Sequence, residues 1–189
     1  MTPQNRTVSL VRHPDTPCAA VRAIDVVVGR GPDGLLLRYT VTGALAALRI
    51  PPAVMPGRAD RLWEHTCLEV FAGADDGSYR EFNFSPSGAW AAYGFDRYRE
   101  RSGWTCPVDL RAEVERADDR LELAVLLPAS VLPVGGRSTL ALSAVIESAD
   151  GSRSYWALRH PAGRPDFHHR DGFALPLDDV SAHRTETAS

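Results

Sequence analysis

A chain of 189 residues, 44% of them hydrophobic, can bury a real core without disulfide or metal staples. Its net charge of −3 and the lack of any basic cluster argue against nucleic acid, which needs a cationic face to neutralise phosphates. All 21 basic residues are Arg, so neither a lysine Schiff base nor a Walker-type phosphate loop is available.

Cys18, Cys67 and Cys106 are odd in number and lack paired short spacing, unlike a disulfide framework or a zinc knot. Residues 1–17 lack the apolar run of a secretory signal, and no stretch approaches membrane-spanning length. The expected setting is a reducing cytoplasm, with no membrane partner and the oligomeric state left open.

Short apolar runs separated by Gly, Pro, Asp and Ser predict an all-β, mostly antiparallel sandwich or barrel. Strands are expected over 23–28, 35–41, 66–72, 79–85 and 90–95. A hairpin follows over 109–114 and 121–127, in which Leu121, Leu123, Val125 and Leu127 alternate with Glu122 and Ala124. Residues 139–147 and 154–158 form the last pair, turning through 149–151. Helical signals are confined to a turn or two at 44–48 and 128–132. The expected organisation is one ligand-binding domain over 8–178 and a flexible polar tail over 179–189.

The informative stretch is the pair of strands 66–72 and 79–85. A hairpin with Glu69 opposite Glu81 sets Leu68 against Phe82 on one apolar face, interrupted only by Arg80. The other face gathers His65, Cys67, Glu69, Tyr79, Glu81, Asn83 and Ser85, a set that a two-residue register slip preserves. Like charges directly opposed are destabilising, so the two carboxylates call for an Arg, a shared proton, a cation or a hydroxyl-rich ligand. Pro86 and Gly88 in Ser85-Pro86-Ser87-Gly88 suit a type I turn. Continuing that ladder sets Trp90 beside Asn83 on the polar face, with Ala92 beside Glu81 and Gly94 beside Tyr79. A one-residue change in the turn would send Tyr93 and Phe95 outward instead.

Carboxylates and amides exchange hydrogen bonds with hydroxyls, and an indole packs on the C–H face of a sugar ring. The expected contacts for a carbohydrate or similar polyol are Glu69, Glu81, Asn83 and Trp90, with His65, Arg38, Tyr79, Arg99 and Trp156 beside them. The bland alternatives are solvated carboxylates neutralised by Arg38 or Arg99, and core packing for Trp63 and Trp90. Two further classes stay open: a sugar-active enzyme using Glu69 and Glu81 as paired carboxylates, and a module whose aromatic face binds another protein. His160, Asp166 and His168 are weak candidates for a metal, set against a role in pinning the last loop to backbone groups.

At these residues the chain resembles bacterial DOMON-like proteins, relatives of the family 9 carbohydrate-binding modules. The likeness rests on residues 58–71, from Arg58 through Trp63 and Glu69 to Phe71, and on residues 79–99, including Glu81, Asn83, Trp90 and Tyr93. Ser154 to Pro161 and Pro165 to His168 add a third piece. It implies a jelly-roll or immunoglobulin-like sandwich used as a non-catalytic ligand-binding module, for sugars or haem. Haem-binding relatives use Met with His or Lys as axial ligands. Here Lys is absent and Met55 is the only internal Met, in a Pro-rich loop, so sugar is favoured, no cofactor is expected, and haem or a divalent metal stays open.

Overall fold

The computed structural model describes residues 5–133 and 138–177. The tail expected over 179–189 and residue 178 lie outside the described residues. The strands, in chain order, are β1 Asn5–Ser9, β2 Val11–Arg12, β3 Val21–Gly31, β4 Gly34–Gly43, β5 Gly57–Arg58, β6 Cys67–Gly73 and β7 Tyr79–Phe84. They continue as β8 Ala89–Arg97, β9 Glu100–Arg101, β10 Ala112–Arg116, β11 Arg120–Pro128, β12 Thr139–Glu147, β13 Arg153–Ala157 and β14 Leu175–Pro176. Among the described residues, helix is limited to three-residue 3₁₀ turns, including Leu45–Ala47 and Ala129–Val131, where the sequence shows its weak helical signals.

Two sheets form the sandwich. The smaller runs β1-β3-β4-β11-β10, and the larger runs β2-β13-β12-β6-β7-β8-β5, with β14 on β12 and β9 on β8. The pairings are antiparallel except for the short parallel contact of β5 with β8. Strict alternation explains the smaller sheet. Leu35, Leu37, Tyr39 and Val41 of β4 and Leu121, Leu123, Val125 and Leu127 of β11 point inward and are buried, while Leu36, Arg38 and Leu126 point out. From the larger sheet, Leu68, Val70, Phe82, Phe84, Trp90 and Leu142 complete this core. Tyr39 spans the layers and donates its hydroxyl to the carbonyl of Glu69 at 2.7 Å, so its one polar atom is met inside the core.

The middle of the larger sheet is buried on both faces. Every residue of β6 and the first seven of β8 are buried, because a second apolar cluster lies on the outer side. There Phe71, Tyr79, Tyr93 and Phe95 receive Trp63, Phe167 and Phe173 from flanking segments. The polar face expected to be open is therefore covered.

The two hairpins that set this face differ from the expected register in instructive ways. Between β6 and β7, Glu69 pairs with Asn83 and Phe71 with Glu81, two residues from the expected pairing. Asp76 accepts hydrogen bonds from the Ser78 amide at 2.9 Å and hydroxyl at 2.6 Å, and Gly77 takes φ +96°, which centres the turn one residue later. Because the slip is even, the same side chains stay on the same face. Between β7 and β8 the slip is odd. Gly88 donates to the Ser85 carbonyl at 3.0 Å as the type I turn requires, but then adopts φ +97° and adds a residue before Ala89. Trp90 consequently pairs with Phe84, and Ala91, Tyr93 and Phe95 take the outer face beside Asn83, Glu81 and Tyr79.

Candidate functional site

Beneath the covering segments, the outer face of the larger sheet encloses a cavity of about 390 Å³. Its floor carries Glu69 from β6 and Glu81 from β7, 2% and 5% exposed. Aromatic walls come from Trp63, Phe71, Phe95, Tyr155 and Phe167. Arg99 and Arg101 from the β8–β9 hairpin, Arg153 at the start of β13 and His168 from the 159–173 loop supply the remaining polar lining.

The floor is a polar network that is not closed. Asn83 donates from Nδ2 to Glu81 Oε1 at 2.7 Å, and the Ser143 hydroxyl donates to Glu69 Oε2 at 3.3 Å. Glu69 Oε1 and Asn83 Oδ1 are buried and have no hydrogen-bond partner. An unmet buried polar atom costs roughly 1–3 kcal/mol, so such atoms beside a cavity are what a polar ligand would satisfy. Burial, and then the neighbouring Glu81 charge, hold the Glu69 carboxyl well above its ordinary range, and burial raises Glu81 to about 7. The two carboxyl groups therefore share at least one proton near neutral pH, and the floor can donate as well as accept. A carboxyl kept neutral by burial, with the Asn83 amide donating to Glu81, is how the sheet accommodates two acids together.

His168 is positioned by a directional chain. The Arg99 amide can only donate, and it does so to Tyr79 Oη at 2.9 Å, which leaves the tyrosine proton for His168 Nδ1, also 2.9 Å away. Nε2 then carries the imidazole proton and faces Glu81 Oε2 at 3.8 Å, too far for a direct hydrogen bond. Burial, then the Arg99 charge, lowers the His168 pKa to about 4, so the ring is neutral in ordinary buffers. Asp166 ties the same loop down, accepting from Arg99 Nη2 at 2.9 Å and from the Tyr98 hydroxyl.

Of the contacts expected from sequence, Glu69, Glu81 and Arg99 line the cavity, and Asn83 and Tyr79 support it through Glu81 and His168. Four lie elsewhere. Trp90 is 1% exposed in the core with the Arg58 guanidinium 4.6 Å from its ring, because the extra residue at Gly88 reversed its direction. Trp156 pairs with Ala144 and donates to Ser154 Oγ at 3.0 Å, also inside the core; its neighbour Tyr155 points to the cavity instead. Arg38 sits on the outer face of the smaller sheet, 3.5 Å from Glu122. His65 precedes β6 rather than joining it and contacts Glu147 Oε2 at 2.8 Å, beside Arg49.

The weak metal candidates do not converge. Among the described residues no group of three or more His, Cys, Asp or Glu side chains is gathered for a metal ion. His160 Nε2 donates to the Val11 carbonyl at 2.8 Å and its ring meets His13 edge-on, while Asp166 is engaged by Arg99. These contacts pin the last loop. Cys67 is fully buried and burial pushes its thiol up, which makes it an inert side chain rather than a nucleophile.

Sequence reasoning missed Arg101, Arg153, Tyr155 and Phe167 as cavity residues. Arg101 and Phe167 depend on the docking of the β8–β9 hairpin and segment 159–173, for which the sequence carries no periodic signal, whereas Arg153 and Tyr155 lie on β13, whose outward side chains were not read as facing the site. Phe95 could have been found, since a Gly at the fourth position of the turn is also the residue that adopts a left-handed bulge.

No protein-family model matches the chain, and no curated sequence does. Among solved structures it is similar in fold to a candidate carbohydrate-binding protein from Bacteroides uniformis, at TM-score 0.64 and 20% identity, over 90% of this chain and 84% of that one. It is also similar to a family 9 carbohydrate-binding module from Caldicellulosiruptor kristjanssonii in complex with cellotriose, at TM-score 0.54 and 8% identity, over 79% of this chain and 75% of that one. These likenesses establish the β-sandwich fold.

Proposed function

We propose that the chain is a binding domain for a carbohydrate or related polyol, and that the cavity over Glu69 and Glu81 is its site. The observation that carries this reading is a pair of adjoining buried carboxyl groups, one with an unmet oxygen, on the floor of an aromatic-walled cavity. Its volume of about 390 Å³ lies in the range of small-ligand pockets. A partly protonated carboxyl pair both donates and accepts, as vicinal hydroxyls require, and Tyr155 and Phe167 offer ring faces for the C–H side of a sugar. The resemblance to DOMON-like and family 9 modules, and the carbohydrate-binding descriptions of the two structural neighbours, support the same ligand class.

The test is ligand-induced thermal stabilisation across a panel of mono- and oligosaccharides. At least one sugar raises the melting temperature of the native protein; Tyr155→Ala abolishes that rise, and Trp90→Phe, altered only in the core, retains it. No response to any sugar, or a full response in Tyr155→Ala, overturns the proposal.

A second reading has its own observation. Glu69 and Glu81 are buried rather than solvated, and Glu81 at about 7 matches the range of a general acid. Turnover of aryl glycosides that disappears in Glu81→Gln would establish an enzyme; sugar binding without turnover leaves the binding domain.

A further inference from the structure

The charge balance of the cavity narrows the ligand, on the premise that the carbohydrate reading above holds. Arg99 is neutralised within the protein by Asp166. Arg101 and Arg153 are not. Arg101 stacks its guanidinium 3.7 Å from the Tyr93 ring centroid and 5.2 Å from that of Phe95; its charge acts on Glu81 across the cavity, but it forms no direct ion pair among the described residues. Arg153 makes one long contact, 3.3 Å, to the Glu64 carbonyl and likewise has no acidic partner there. A guanidinium that stacks through its face keeps its N–H edge free for a planar or tetrahedral anion, the geometry for which arginine is suited. The acidic groups of the lining, Glu69 and Glu81, are both raised by burial, so near neutral pH they offset at most about one of these two positive charges. His168 is neutral there. The cavity thus presents a hydroxyl-exchanging floor and a cationic mouth.

We infer that the preferred ligand is an acidic saccharide, whose carboxylate or phosphate is held by Arg101 and Arg153 at the mouth while its hydroxyls reach Glu69 and Glu81. A neutral sugar would satisfy the floor and leave both cations merely solvated. An amino sugar would place its ammonium among like charges. The guanidinium of Arg101 lies over the Tyr93 ring and near that of Phe95, so the anion-binding group is held in place before the ligand arrives and loses little freedom on binding.

The experiment is isothermal titration calorimetry at pH 7.5 with matched probes: glucose against glucuronate and glucose 6-phosphate, and galactose against galacturonate. In at least one set the acidic sugar binds about tenfold or more tightly than its neutral counterpart, and raising the salt narrows the gap. Glucuronate or galacturonate in front identifies a carboxylate ligand, and glucose 6-phosphate in front a phosphorylated one. Arg101→Gln, a change at an exposed side chain with folding checked by its melting temperature, brings the affinity of the acidic sugar down to that of its neutral counterpart in the same variant. Neutral sugars binding as well as the acidic ones, or a preference that survives in Arg101→Gln, overturns this inference and leaves the carbohydrate site standing. No binding of any probe overturns this inference, and the carbohydrate reading falls with it when the wider panel of mono- and oligosaccharides is equally without effect.

Discussion

The two faces of strands β6, β7 and β8 are built from alternate residues of the same short segments, and both are buried, yet they do different things. On the inner face Leu68, Val70, Phe82, Phe84 and Trp90 pack into a core in which the buried hydroxyl of Tyr39 is met by the Glu69 carbonyl. On the outer face Glu69, Asn83 and Glu81 are as deeply buried, but Glu69 Oε1 and Asn83 Oδ1 are left without partners and a cavity opens beside them. Burial alone therefore does not separate core from site. The separating property is whether buried polar atoms are satisfied, because native interiors tolerate few that are not.

The contrast can be tested from either side. Phe82→Ala empties the inner face and should cost about 3–5 kcal/mol of stability, read from urea denaturation. Its cost should be independent of pH, since no titrating group is removed.

Glu81→Gln should behave oppositely. In the folded chain Glu81 keeps its proton up to about 7, against an ordinary carboxyl value of 4.5. Between those values the folded state holds more protons than the unfolded one, so the native protein loses stability as pH rises through the window. Gln does not titrate and can still accept from Asn83. The variant should match the native protein near pH 4.5 and exceed it by about 1–3 kcal/mol at pH 8, while losing ligand. A native stability that rises between pH 5 and 8 because of this residue would reverse the assignment.

Gly88→Ala probes the device that chose which face Trp90 joins. At φ +97° a β-carbon is strained, and the expected loss is about 1–2 kcal/mol, with the tryptophan emission of the folded protein unchanged if the register survives. The smallest effect belongs to Arg38→Ala. Its contact with Glu122 is long, 3.5 Å, and its guanidinium is about half exposed on the far sheet, so stability should change by less than about 0.5 kcal/mol and ligand binding not at all.

Much of this was legible locally. Nine expected strands correspond to β3, β4, β6, β7, β8, β10, β11, β12 and β13, and Glu69, Glu81 and Asn83 fall on one face. A backbone repeat of two residues writes that sorting into neighbouring letters, and an even register error cannot undo it. Trp90 failed because one left-handed glycine is an odd error and reverses every later side chain in the strand. Arg38 and Trp156 failed because polarity and ring type do not say which sheet, or which side of it, a strand will occupy.

What the sequence by itself determined is the alternation of apolar and polar side chains, and with it an all-β fold carrying two acids and an amide on one strand face. Only the tertiary structure decided that this polar face would be roofed. Segments 97–104 and 159–173 come from distant parts of the chain, and their docking through Arg99, Asp166 and His168 rests on contacts between residues some seventy to ninety positions apart. No local repeat encodes such contacts. They turned an expected open surface into a cavity, pushed the carboxyl pKa values up by burial, and brought Arg101 and Phe167 to its walls beside Arg153 and Tyr155 of β13.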